Sequence, residues 1–266
     1  MQRRGFLITT ALATLGMLAG CADDSSTKSA DGFPDEVASS NTAVTTVDSR
    51  VFSAPTGIRK VAVPHGTLYG LPGTGNNLAL TVDDGTDPMV VAAYAKFCQD
   101  TGMRVTCFVN GINPGWTESK PTLAPMVDSG QVFLANHTWS HPDLTRLDAA
   151  GVTYQVQRNE TFLKNNYGVL GRPFLRPPFG YGNDALHAQL ADLGYPAVTM
   201  WLGSLSDATV IAPQRVVFHA KQWFLAQHIV IGHANHPAVT HVYGQLVDII
   251  RERKLQPVTL ADIFQV

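Results

Sequence analysis

Residues 131–144 read Gln131-Val-Phe-Leu-Ala-Asn-His-Thr-Trp-Ser-His-Pro-Asp-Leu144. A short apolar run passes straight into two imidazoles, His137 and His141, four residues apart. On a helix that spacing puts both rings on one face, where they clamp a metal. Here Pro142 disfavours helical geometry at His141. Thr138 stands where the helical His-Glu-x-x-His clamp carries its general base, and a threonine cannot serve. The pair therefore reads as a clamp on a loop that follows a strand, with its third ligand and its base supplied from elsewhere in the chain.

Outward from this stretch the same event recurs. Short apolar runs lie at Leu78–Val82, Val105–Val109, Gln131–Ala135, Phe174–Leu175, Ala197–Trp201, Ile229–Ile231 and Pro257–Leu260. Segments with helical spacing separate most of them. Pro88–Asp100 opens with a proline suited to a first turn, and Asn183–Leu193 stops before Gly194. Pro213–Ala226 and Ala238–Arg251 each carry one apolar face. One more short strand is expected at Arg59–Val63, within a loop-heavy lead-in over residues 52–77. The alternation predicts an α/β fold, a distorted (β/α) barrel of about seven parallel strands.

The unusual polar residues fall just after these strands. Thr81-Val82 runs into Asp83-Asp84-Gly85, and Ala135 into the His pair. Leu175 runs into Arg176-Pro-Pro-Phe-Gly180, Trp201 into Ser204-Leu-Ser-Asp207, and Ile231-Gly232 into His233. In a parallel α/β barrel those positions share one rim, where active sites are built. Asp-Asp-Gly by itself reads as a solvated turn; on the same rim as a His clamp it offers more. A catalytic divalent metal takes three protein ligands and keeps one position open. One of Asp83 and Asp84 completes the ligand set, and the other is placed to take a proton from water.

The bulk numbers set limits. The chain has 266 residues, 45% of them hydrophobic and 15% charged, enough for one large domain with a substantial core. Net charge is −2 with no basic block, which argues against nucleic acid and against a polybasic membrane patch. Cys98 and Cys107 sit in apolar contexts and read as buried free thiols rather than a disulfide.

The N-terminus reads as an address. Arg3-Arg4 precedes an apolar run, residues 6–19, too short to span a bilayer. Leu18-Ala-Gly-Cys21 closes it. The segment resembles a bacterial export signal, residues 1–20, with a lipoprotein processing box that leaves a lipid on Cys21. Arg3-Arg4-Gly-Phe-Leu7 resembles a twin-arginine signal; an ordinary secretory signal is the alternative. Residues 21–51, rich in Ser, Thr, Asp and Ala, read as a disordered tether that would reach roughly 30 Å. The expected location is the outer face of the bacterial cell membrane, with a folded catalytic domain over residues 52–266.

Taken together, these motifs resemble the polysaccharide deacetylase family, the family 4 carbohydrate esterases, over residues 76–264. Thr81-Val-Asp-Asp-Gly85, His137-Thr-Trp-Ser-His141 and Arg176-Pro-Pro-Phe179 match its first three motifs. Ser204–Ala208 loosely matches the fourth, and Ile229-Val-Ile-Gly-His233 the fifth. The resemblance implies that Asp84, His137 and His141 bind one divalent ion, zinc by expectation, with cobalt or another divalent ion as alternatives. It implies that Asp83 is the general base, held by Arg176. It makes His233 the general acid, paired with Asp207, and places the backbone near Phe179 at the oxyanion. Pro178 and Trp201 are further candidates for substrate contact. The implied reaction removes N-acetyl groups from a glycan such as peptidoglycan, by a monomeric enzyme.

Three departures stand out. Val82 replaces the aromatic that usually precedes the paired aspartates. Ser204 replaces the usual Asp that opens the fourth motif, and Ala208 replaces the Trp that closes it. Trp201, Trp139 or Trp116 could supply the missing groove wall, with core packing expected for Trp139. His236 is a weaker candidate for substrate contact, while His65, His187, His219 and His241 read as surface or packing residues. The rival readings are a metal amidase of the same fold acting on another N-acyl group or a cyclic amide, and a lipoprotein that only grips glycan.

Overall fold

The computed structural model describes residues 51–266. The export signal, Cys21 and the tether up to residue 50 lie outside the described residues. Within the described residues nine strands form one sheet: β1 (Gly66–Leu68), β2 (Asn77–Asp84), β3 (Val105–Val109), β4 (Val132–Asn136), β5 (Phe174–Leu175), β6 (Ala197–Thr199), β7 (Gly203–Ser204), β8 (His228–His233) and β9 (Gln256–Pro257). They run in the order β1-β6-β5-β4-β3-β2-β8-β7, with β9 also on β2, and every named pair is parallel.

The sheet curls round because one extended segment changes partners. Residues 197–199 pair with β1 and β5, and residues 203–204 pair with β8. Between them, Leu202 N donates to Ile229 O at 3.0 Å. Below, Gly70 bridges His228 antiparallel. The result is a partial barrel, as the strand-helix alternation predicted. β1 and β7 are additions to the seven strands expected.

Among the described residues, eight α-helices accompany the strands: α1 (Pro88–Thr101), α2 (Gly115–Glu118), α3 (Lys120–Asp128), α4 (Ala149–Tyr167), α5 (Asp184–Asp192), α6 (Pro213–Trp223), α7 (Tyr243–Glu252) and α8 (Leu260–Ile263). Local sequence sets their ends. Asp87, Asp148 and Asn183 cap the starts of α1, α4 and α5 through their side chains, and Gly102 and Gly168 close α1 and α4 with positive φ.

Three expectations need correction. Arg59–Val63 makes one isolated bridge, Val61 to Phe264, and the strand forms at Gly66–Leu68 instead. The run Pro257–Leu260 is a strand only to Pro257, because the Thr259 hydroxyl and the Asp262 carboxylate form a capping box that starts α8 at Leu260. Ala238–Arg251 is not one helix: a 3₁₀ turn, Pro237–His241, precedes α7.

Strand alternation assigns the polar residues to the interior. On β2, Leu78, Leu80 and Val82 join the core shared with α1, α3, α6 and α7. Ala79 belongs to the core inside the barrel, with Phe108, Ala135, Phe174 and Ile229. The two-residue period then places Thr81 and Asp83 on the inner face above Ala79, and His233 on the inner face above Ile229. Asp83 and His233 are partners in the β2–β8 register.

Gly85 turns the chain away from the strand end with φ +85°, and a Cβ there would lie 2.4 Å from Trp116 Nε1. Trp116 is buried, and its Nε1–H donates to Asp84 O at 2.9 Å. The Gly85→Ala variant is therefore expected to lose about 2–4 kcal/mol from combined backbone strain and overpacking. Urea unfolding measures it, and a loss below about 1 kcal/mol would contradict this packing.

Candidate active site

The rim encloses a cavity of about 560 Å³. Asp83 and Asp84 enter from β2, His137 and His141 from the loop after β4, Arg176 from the loop after β5, and His233 from the end of β8. These residues, read from separate stretches of sequence, come together as expected. Asp207 lies behind His233, fully buried.

The ligand atoms of Asp84, His137 and His141 lie within 4.8 Å of one another. Asp84 Oδ1 is 3.2 Å from His137 Nε2 and 3.3 Å from His141 Nε2. That oxygen is buried without a hydrogen-bond partner, which is costly unless a cation takes it. The His137 Nδ1–H donates to the Arg176 carbonyl at 2.6 Å, leaving the Nε2 lone pair for a metal. Asp84 Oδ2 accepts from Asn235 Nδ2 at 2.6 Å. Burial raises the Asp84 carboxyl, but His137, His141 and Asn235 outweigh it and hold the group well below the usual carboxylate range. One oxygen and two imidazole nitrogens suit zinc or a similar divalent ion, so the residues present fit the implied metal.

Asp83 is held differently. Arg176 Nη1 donates to Asp83 Oδ1 at 2.6 Å and to Thr81 Oγ1 at 2.9 Å. Arg176 Nε and Nη2 donate to Thr199 O and Met200 O, both at 3.0 Å. The guanidinium is fully buried, with its carbon 4.1 Å from the Phe108 ring centroid. Asp83 Oδ2 lies 3.7 Å from His137 Nε2, so the second carboxylate oxygen stands beside the candidate metal ligands. Asp207 Oδ1 accepts from His233 Nδ1 at 3.0 Å and from His233 N at 3.1 Å, which turns Nε2 away from Asp207. Burial lowers His233, but the Asp207 hydrogen bond and the Asp83 charge raise it above the ordinary imidazole range.

Backbone strain gathers here. Asp84, Thr138, His141 and Phe179 have φ of 71°, 72°, 60° and 61°. Left-handed geometry is unusual outside glycine, above all for a β-branched residue such as Thr138. Thr138 is secured by Asn136 Oδ1, which accepts its N–H at 2.8 Å, and by Asn110, which donates to the carbonyls of His137 and Thr138.

Several expectations for the walls change. Pro178 is not among the lining residues, and Pro177 lines the cavity in its place. Trp201 does line the cavity. Trp116 cannot be a groove wall, because it is buried under Asp84 and Gly85. Trp139 packs on Phe162 beneath Arg158. His236 is not among the lining residues, whereas Asn235 is. Asn235 carried no spacing signal, since its partner Asp84 is 151 residues away. Cys98 and Cys107 are buried free thiols, as expected.

A parallel, partly closed barrel that brings Asp83, Asp84, His137, His141 and His233 to one rim defines an α/β class with a candidate metal centre. Comparison with known proteins makes the class specific. A sequence model of the family described as polysaccharide deacetylase matches residues 71–198. A chitin deacetylase of Pestalotiopsis sp is 31% identical over 218 residues, 78% of this chain and 70% of that protein. The peptidoglycan-N-acetylmuramic acid deacetylase of Bacillus subtilis is 33% identical over 114 residues, 42% of this chain and 23% of that one. A peptidoglycan N-acetylglucosamine deacetylase structure superposes with a TM-score of 0.68 at 18% identity, covering 76% of this chain and 94% of that one, a likeness of fold. The chain belongs to the polysaccharide deacetylase family, hydrolases of carbon–nitrogen bonds.

Proposed function

We propose that this protein is a metal-dependent N-deacetylase of a cell-envelope glycan such as peptidoglycan. The observation that carries the reading is the division of labour between neighbouring aspartates. Asp84 Oδ1 is buried without a partner between two imidazoles, and Asp83 is anchored by Arg176.

Asp84, His137 and His141 would hold one divalent ion, which supplies Lewis acidity to the amide carbonyl. Asp83 takes the proton from the attacking water, and Arg176 keeps its carboxylate aimed. His233, oriented by Asp207, delivers a proton from Nε2 to the departing amine. An imidazole held above its usual range keeps its proton more tightly than a free one, which suits this role. The backbone at Phe179 would assist at the oxyanion. The products are acetate and a free amino sugar.

The envelope assignment draws support from the N-terminal export pattern and Cys21, which would tether a monomeric enzyme to the outer face of the cell membrane. A chitin deacetylase as the relative with the wider match supports an N-acetylglucosamine-type unit. The test is acetate release from peptidoglycan and from N-acetylglucosamine oligomers by the full-length protein. Release should stop after chelator treatment and return when zinc or cobalt is added. No acetate from any N-acetylated glycan under metal-loaded conditions would overturn the reading.

A further inference from the structure

Behind the proposed acid lies a buried set of oxygens that the mechanism above does not use. Asp207 Oδ1 serves His233 twice, whereas Asp207 Oδ2 is buried with no hydrogen-bond partner. The Tyr94 hydroxyl of α1 and the Tyr243 hydroxyl of α7 are in the same condition. Their rings meet edge to face, with centroids 5.3 Å apart. A Cβ added at Gly232 would lie 3.2 Å from the Tyr94 hydroxyl, 3.5 Å from Asp207 Oδ2 and 3.1 Å from Leu205 Cδ1. The hydroxyl and the free carboxylate oxygen thus face the same glycine, the residue next to His233.

We propose that Tyr94 is a positioning residue for His233, its hydroxyl donating to Asp207 Oδ2 by a small side-chain rotation or across one bridging water. This rests on the reading of His233 as the general acid. A fully buried carboxylate oxygen without a donor is costly, and so is a buried phenol without an acceptor. Pairing them removes both costs, and the carboxylate accepts the stronger, charge-assisted bond. Burial first, and the nearby Asp207 charge second, push Tyr94 well above the ordinary phenol range, so it keeps its proton at every working pH. A donor on Oδ2 draws charge away from Oδ1 and moderates the hold of Asp207 on the imidazolium.

The groups that bear on His233 are Asp207 after β7, Asp83 and Asp84 on β2, and His141 after β4. Those around Tyr94 are Asp207, Tyr243, Cys107 and Cys98. All of these are retained in Tyr94→Phe, which removes one oxygen and keeps the ring.

The experiment compares wild type and Tyr94→Phe in two ways: the pH profile of kcat and KM, and the NMR titration of the His233 imidazole. With the donor gone, Asp207 Oδ1 holds the imidazolium more tightly. The His233 titration and the alkaline limb should rise together by about 0.5–1 unit. As pH rises, activity is lost when His233 deprotonates, so the variant stays active to higher pH. Its plateau kcat should fall severalfold, because the acid is weaker, while KM is unchanged.

A Tyr94→Phe protein that melts earlier, yet leaves the limb and the imidazole titration within about 0.2 unit of wild type, would overturn the proposal and leave Tyr94 a packing residue. If the wild type released no acetate, the deacetylase reading would fail. The imidazole titration would still decide whether Tyr94 acts on Asp207 and His233.

Discussion

Asp83→Asn is expected to lower acetate release by about 10²–10⁴-fold, the usual contribution of a positioned general base. The amide has the shape of the carboxylate, and its oxygen can still accept from Arg176 Nη1, 2.6 Å away in the parent protein. It cannot take the proton of water. Metal binding should persist, because the proposed ligand atoms belong to Asp84, His137 and His141. The informative measurement is metal content alongside rate, taken below the melting transition because removing the carboxylate charge also costs stability. A variant that keeps its metal and loses turnover supports base catalysis. Unchanged turnover with metal in place would remove Asp83 from the mechanism. A protein that only grips glycan would bind it equally well with either residue.

Arg176→Leu should be the most damaging change to stability in the site. It breaks a buried ion pair and leaves Asp83, 2% exposed, as an uncompensated charge. Removing one partner of such a pair costs about 3–5 kcal/mol. The carbonyls of Thr199 and Met200 and the hydroxyl of Thr81 also lose donors. Denaturant unfolding should show the loss, and the double variant with Asp83→Leu should recover part of it. A loss under about 1 kcal/mol, or no recovery in the double variant, would mean that solvent reaches the pair and screens it.

These two residues also show how much could be read from the sequence. Asp83 follows the apolar run Leu78 to Val82, so its rim position was legible, but this run is buried on both faces and its inward direction emerges only from the two cores that β2 separates. Arg176 sits before a Pro-Pro turn that few other structures would tolerate. The His pair carried its meaning in its spacing and in Pro142. What was hidden has a common cause. β1 and β7 are three and two residues long, too short to show a period, and they exist because neighbouring backbones offer bonds. Asn235, Trp116 and Tyr94 gain their roles from partners far away in the chain, and each looks ordinary in its local context. Pro177 and Pro178 differ only in which way the turn faces, which the left-handed φ of Phe179 helps to set.

The left-handed residues on the rim have a consequence for anyone trying to move this site. Asp84, Thr138, His141 and Phe179 each hold a conformation that an isolated peptide would abandon, at about 1–3 kcal/mol apiece. The surrounding barrel supplies that restraint through Asn110, Asn136, Trp116 and Asn235. A grafted His-Thr-Trp-Ser-His segment would therefore relax, and its two imidazoles would part company. The transferable unit is the loop together with the amides and the indole that pin it, so the smallest portable form of this chemistry is most of a barrel rim.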